Sequence, residues 1–221
     1  ISGNYAYLVI NDLGDDLQVL DISDPTNPIE VGSLELISGT SDRIYRVRVQ
    51  GDFAYLVGTN TFCVIDISDP TNLVVTDTAS LPDLGRTINL YRNYAIVGTD
   101  STGADLQVFD ISDPFDITEI DSVSTDTRFF GGDISGSLLY LANDVGELDI
   151  YDLNDIRNIS LISDTDFSTN IANDVKVVGN YAYLSGNDSG VFVLDISSST
   201  NVTQVAQFDL NRGAEYPVDA H

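Results

Sequence analysis

The sequence predicts an all-β fold: a five-bladed β-propeller of four-stranded antiparallel blades, its ring closed by the C-terminal strand joining the N-terminal blade. Three observations carry that reading. One short run recurs five times at near-constant spacing. Each period holds four strand-like segments and no helical pattern. The two chain ends, read head to tail, supply the first strand of the blade that Ile1 begins.

The recurring run is Asp21-Ile22-Ser23-Asp24-Pro25, then Asp66-Ile67-Ser68-Asp69-Pro70, then Asp110-Ile111-Ser112-Asp113-Pro114. Asp152-Leu153-Asn154-Asp155 and Asp195-Ile196-Ser197-Ser198 are looser copies. These anchors begin at positions 21, 66, 110, 152 and 195, a period typical of propellers and stacked arrays. Five such periods use up the 221 residues as a single domain spanning 1–221.

Within a period the first strand is Arg46-Val47-Arg48-Val49 or Asp174-Val175-Lys176-Val177. A tight turn follows, Gln50-Gly51-Asp52 or Val178-Gly179-Asn180, with glycine supplying a positive φ. The second strand is the Tyr5-Ala6-Tyr7-Leu8 type of run, and the third is Leu17-Gln18-Val19-Leu20. After the anchor comes the fourth, Ile29-Glu30-Val31-Gly32-Ser33-Leu34. All are rich in β-branched and aromatic residues and bounded by Gly, Pro, Asn and Asp. No stretch carries a 3.6-residue apolar period, so no α-helix is expected.

The anchor has a structural explanation. Pro25 and Pro28 stiffen a turn between third and fourth strands. Asp24 and Asn27 are placed to bond nearby backbone N–H groups, and Asp21 accepts from the same turn. Closure is read from the ends: Asp219-Ala220-His221 running into Ile1-Ser2-Gly3-Asn4-Tyr5 aligns with Asp174 to Tyr181. The last residues then form the inner strand of the blade that Ile1 begins, which removes a sheet edge.

Nine basic residues stand against thirty-five acidic ones, a net charge of −26. That charge repels nucleic acid and anionic membrane surfaces. It suits a solvated surface in salty water, and also bound divalent cations. No apolar run is long enough to span a bilayer, so no membrane insertion is expected. The chain begins at Ile1 and reads as a processed piece. Cys63, in the apolar run Phe62-Cys63-Val64-Ile65, is the sole cysteine and reads as a buried small hydrophobe.

The Gly-Asn-Tyr-Ala-Tyr-Leu strand, followed by Leu-x-Val-x-Asp-Ile-Ser-Asp-Pro-x-Asn-Pro and Val-Gly-Ser, resembles the LVIVP repeat of secreted and cell-surface proteins of bacteria and archaea. The likeness covers the whole chain and is strongest over 3–33, 51–72 and 93–114. It implies a β-propeller, an extracellular address and a scaffold or adhesion-like role. It transfers no catalytic residue.

Functional candidates fall on two sets of loops. Loops between second and third strands are acidic, and Asp12, Asp16, Asp100 and Asp105 are candidate ligands for Ca²⁺, a hard cation that takes clustered oxygens. The alternative is a plain Asn-Asp-x-Gly turn. Loops leading into each blade vary more. They carry Arg43, Tyr45, Arg86, Arg128, Phe129, Phe130, Arg212 and Tyr216, candidates for a partner or a carboxylated ligand. The alternative there is that an aromatic plugs the gap between blades while the arginines pair with local Asp.

Catalysis has little to stand on. His221 is the only histidine, and no phosphate-binding glycine loop is present. A glycosidase would need two or three carboxylates around the central funnel; Asp174 and Asp219 hold matching places in two periods, and nothing beyond that place singles them out. The reading is therefore an extracellular or cell-surface, non-catalytic interaction, adhesion or structural module. It is a building block of a surface assembly or filament, with surface proteins, glycans or its own copies as partners. The alternative is a carbohydrate-active propeller, lectin or glycoside hydrolase. Three Asn-x-Ser/Thr sequons, at Asn158, Asn187 and Asn201, bear on a surface address.

Overall fold

The computed structural model describes residues 1–10, 16–36, 43–101, 103, 105–125, 127–167, 171–187 and 189–208. They form five antiparallel sheets and no helix. The first sheet has β1 (Tyr5–Val9), β2 (Leu17–Asp21) and β3 (Ile29–Leu34). The second has β4 (Ile44–Gln50), β5 (Phe53–Gly58), β6 (Thr61–Asp66) and β7 (Val74–Ser80). The third has β8 (Gly85–Tyr91), β9 (Tyr94–Thr99), β10 (Leu106–Asp110) and β11 (Thr118–Val123). The fourth has β12 (Phe129–Ser135), β13 (Leu138–Asn143), β14 (Glu147–Asp152) and β15 (Ser160–Asp166). The fifth has β16 (Ala172–Val178), β17 (Tyr181–Gly186), β18 (Gly190–Asp195) and β19 (Thr203–Phe208). Strands in each sheet pair in chain order, as a meander. The chain forms two compact units, Ile1–Asp126 and Thr127–His221.

Alternation sets the cores. In the first unit Leu17, Ile44, Leu56, Cys63 and Ile65 form one cluster, and Val57, Phe62, Ile88, Val97 and Phe109 another. In the second, Tyr140, Leu148, Ile150, Val175, Leu184 and Phe192 pack together. Cys63 is buried, and burial pushes its thiol pKa up, as suits an inert core cysteine.

The anchor aspartates do what their sequence predicts, whereas Asn27 joins the turn through its own backbone N–H, which donates to the Asp24 carbonyl at 3.0 Å. In all five, the first Asp accepts from the backbone N–H two residues on: Ser23 to Asp21 at 2.8 Å, Ser68 to Asp66 at 2.9 Å, Ser112 to Asp110 at 2.9 Å, Asn154 to Asp152 at 2.8 Å and Ser197 to Asp195 at 2.9 Å. Asp24 and Asp69 take both the amide and the hydroxyl of Thr26 and Thr71. Such bonds favour the charged carboxylate, so Asp21, Asp24, Asp66, Asp69 and Asp195 sit below their ordinary pKa.

The anchor also reaches the preceding sheet. The Thr76 hydroxyl on β7 donates to the Pro114 carbonyl at 2.6 Å, and the Ile117 amide donates to Asp77 at 2.7 Å. In the second unit the Ser163 hydroxyl on β15 donates to the Ser199 carbonyl at 2.7 Å. In the first sheet Gly32 holds the register place of Ser163 and Asp77: a Cβ on it would lie 2.1 Å from the Pro70 carbonyl oxygen. The anchor thus ties neighbouring sheets within each unit as well as setting its own turn.

The inner hairpin turn is repeated too. Gly3, Gly51, Gly136 and Gly179 have φ of 55° to 63°. In the third sheet Arg92 occupies that position at φ 55°, against the usual preference for glycine.

Candidate functional site

The loops leading into the sheets and the loops between second and third strands share one end of each sheet. A repeated backbone bond joins them. The Thr59 amide donates to the Arg43 carbonyl at 2.8 Å, Asp100 to Leu84 at 3.0 Å, Asp144 to Arg128 at 3.0 Å and Asn187 to Ile171 at 3.0 Å. Beside each bond the inner strand carries a bulge, where the register shifts between Ile44/Arg46, Gly85/Thr87, Phe129/Gly131 and Ala172/Asp174. The bulged residues are Tyr45, Arg86, Phe130 and Asn173. Bulges redirect side chains next to functional sites. Three of the sequence-named candidates are therefore bulge residues.

In the first unit Arg86 grips Asp100 through two nitrogens: Nε lies 3.0 Å from both carboxylate oxygens, and Nη2 is 2.7 Å from Oδ2. The hydrogen bonds to Asp100 hold the guanidinium pKa above its ordinary value. The guanidinium also sits over the Tyr45 ring, 5.4 Å from its centre. Tyr45, Arg86 and Asp100 are thus one assembly bridging the second and third sheets. Arg43 is exposed, and its amide donates to the Thr59 hydroxyl at 3.1 Å.

Asp16 and Asp105 occupy equivalent places, five residues before their anchors. Each accepts a backbone amide 20 residues on: Leu36 to Asp16 at 2.8 Å, Thr125 to Asp105 at 2.5 Å. They hold the chain as it leaves the fourth strand. Among the described residues no group of three or more His, Cys, Asp or Glu is placed to hold a metal.

In the second unit Arg128 is exposed and makes a loose contact with Asp144 at 3.8 Å. Phe129 is fully buried and meets Tyr151 edge-on at 6.2 Å. It fills the core, whereas Phe130, the bulge residue, is half-buried. Asp174 lies against Gly131, where a Cβ would sit 2.2 Å from its Oδ1, so these inner strands approach closely. Its Oδ1 accepts the Val175 amide. Asp12, Arg212, Tyr216 and Asp219 lie outside the described residues.

One group escaped the sequence reading. The Asn143 amide donates to Glu147 at 3.0 Å and to Asp149 at 3.1 Å, while its oxygen accepts the amides of Val145 and Glu147. Asp149 is buried. Burial, with Glu147 and Asp164 nearby, pushes its carboxyl up to about 7 against the pull of the Asn143 bond. The available signal was a carboxylate at the position that holds Gln18, Cys63, Gln107 and Phe192 in the other repeats, three residues before the anchor.

A family model described as the LVIVD repeat matches residues 1–35, 44–78, 85–125 and 170–209. These contain the first, third and fifth sheets and all but the last two residues of the second, while the fourth, with its altered anchor, falls between matches. No curated protein matches. Among solved structures, a protein from Lactobacillus plantarum aligns with TM-score 0.79 at 12% identity, covering 92% of this chain and 67% of that one. The β-propeller domain of Cps50 (Swd1) from Myceliophthora thermophila gives 0.68 at 14%, covering 95% and 70%. The computationally designed protein Ika8 gives 0.69 at 16%; the alignment covers 95% of this chain but only 61% of Ika8. At such identities the likeness shows the fold alone, a β-propeller architecture.

Proposed function

The chain belongs to the LVIVD-repeat family, and from that premise we propose that it is a five-bladed propeller acting outside the cell as a non-catalytic interaction module. Closure is supported by the first sheet. The tight turn that joins inner to second strand elsewhere is also present at Gly3, where Ser2 and Tyr5 exchange backbone bonds of 2.9 and 3.0 Å. An inner strand should therefore arrive at Ser2, and the C-terminal residues up to His221 have the matching sequence. Leu8, Tyr181 and Tyr183 are exposed apolar side chains of the kind such a closure covers.

The observation that carries the functional reading is a constant backbone under changing side chains. The same bond holds Arg43, Leu84, Arg128 and Ile171 at equivalent places. A rigid frame that varies only its side chains suits recognition. The named carboxylates Asp16, Asp100, Asp105 and Asp174 each have a structural partner, which favours binding over glycoside hydrolysis. Surface proteins, glycans or other copies of the chain are the partners this face suits.

The test pairs a binding readout with a turnover readout. Sedimentation, with glycan and surface-protein arrays, should show association that weakens about tenfold in Arg43→Ala/Arg128→Ala, with no hydrolysis of any glycoside. Turnover abolished by Asp174→Asn would replace this reading with the glycosidase one.

A further inference from the structure

Two of the three sequons occupy the same place in the fold. Asn158-Ile159-Ser160 and Asn201-Val202-Thr203 both run from the end of an anchor turn into the first residue of the fourth strand, β15 or β19. Each asparagine is exposed, the middle residue is buried, and the hydroxyl residue is exposed again. The turns bond through the backbone: the Asn158 amide N–H donates to the Asp155 carbonyl at 3.1 Å, and Asn201 to Ser198 at 3.2 Å. Among the described residues neither side-chain amide hydrogen-bonds into its turn. At the equivalent place the first three anchors carry Asn27-Pro28, Asn72-Leu73-Val74 and Asp116-Ile117-Thr118. Proline, a missing hydroxyl and a missing amide disqualify these in turn. Only the second unit therefore carries acceptors at this position.

We infer that Asn158 and Asn201 are N-glycosylated. This rests on the extracellular reading, because the donor is a lipid-phosphate-linked oligosaccharide used by a transferase at the export membrane. The Asn side-chain nitrogen forms a bond to the anomeric carbon of that sugar. The anomeric carbon–oxygen bond to the lipid phosphate breaks, the phosphate leaves with the bonding pair, and the amide proton passes to the transferase base. No redox partner is needed. The anchor turns lie at the opposite end of β14 and β18 from the variable loops, roughly 20 Å away at strand rise. Glycans there add polar bulk while leaving the recognition end clear.

The experiment is glycopeptide mapping of the protein from its native cells, after separating extracellular from intracellular material. Glycan mass is expected on Asn158 and Asn201 in the extracellular fraction, with loss of one glycan each in N158Q and Ser160→Ala. Extracellular protein with both asparagines bare overturns this inference and leaves the location standing. Bare protein found only inside the cell overturns both.

Discussion

The Thr76 hydroxyl reaches out of its own sheet and donates a 2.6 Å hydrogen bond to the carbonyl of Pro114, in the anchor of the next. Ser163 repeats the arrangement with Ser199. A buried carbonyl deprived of its donor costs about 1–3 kcal/mol. Thr76→Val and Ser163→Ala should each destabilise by about 1 kcal/mol, a fall of roughly 2–4 °C in Tm for a chain of this size. Calorimetry checks it; unchanged Tm in both would mean the carbonyls are satisfied by water.

Gly32 takes the register place of Ser163 without a hydroxyl, and the Pro70 carbonyl oxygen fills the space a side chain would need. Backbone cannot yield there as a flexible side chain would. Gly32→Ala should cost about 2 kcal/mol or more. Gly51→Ala is strained for a different reason, its φ of +60° with open space around it, and should cost about 1 kcal/mol. Arg92→Gly should stabilise, since it puts glycine where the backbone already has φ 55°. Urea titration orders the three.

Two sets of carboxylates act on stability at different pH. The anchor aspartates have depressed pKa in the folded state, so their contribution is present above the ordinary value of 3.8 and is lost as pH falls through the folded pKa. Asp149 has the opposite sign. It holds a proton in the folded state up to about pH 7, so stability falls as pH rises from about 4 to about 7 and then levels. That loss is roughly 4 kcal/mol at most. Stability should peak near pH 4–5. Asp149→Asn should flatten the slope between pH 5 and 8 and raise the urea midpoint at pH 8. A wild-type midpoint equal at the two pH values would contradict it.

Arg86 neutralises Asp100 and stacks on Tyr45. Arg86→Gln should cost about 2 kcal/mol, because the bonds lost are to a charged group. Urea titration checks it; an unchanged midpoint would mean the pair contributes nothing to stability.

What was legible in the sequence was local. Anchor turns depend on Asp, Ser, Thr and Pro within a few residues, and the β-rich run from Ile29 to Leu34 coincides with β3. What escaped depends on distant partners. Nothing near Asp16 or Asp105 announces an amide 20 residues on. The bulge at Phe130 breaks the strand's alternation, which is how Phe129 goes to the core while looking like half of an exposed pair. Asp149 lies in an apolar run, and its partner Asn143 belongs to the preceding strand.

The claim on which the functional account rests is that the chain works outside the cell. Lys176 is its only lysine, and that side chain is 72% exposed despite its 2.8 Å contact with Asp133. Intact native cells treated with a membrane-impermeant amine reagent, followed by peptide mapping, give the direct test. Labelling of Lys176 before lysis is the expected result; labelling only after the cells are broken would contradict the account.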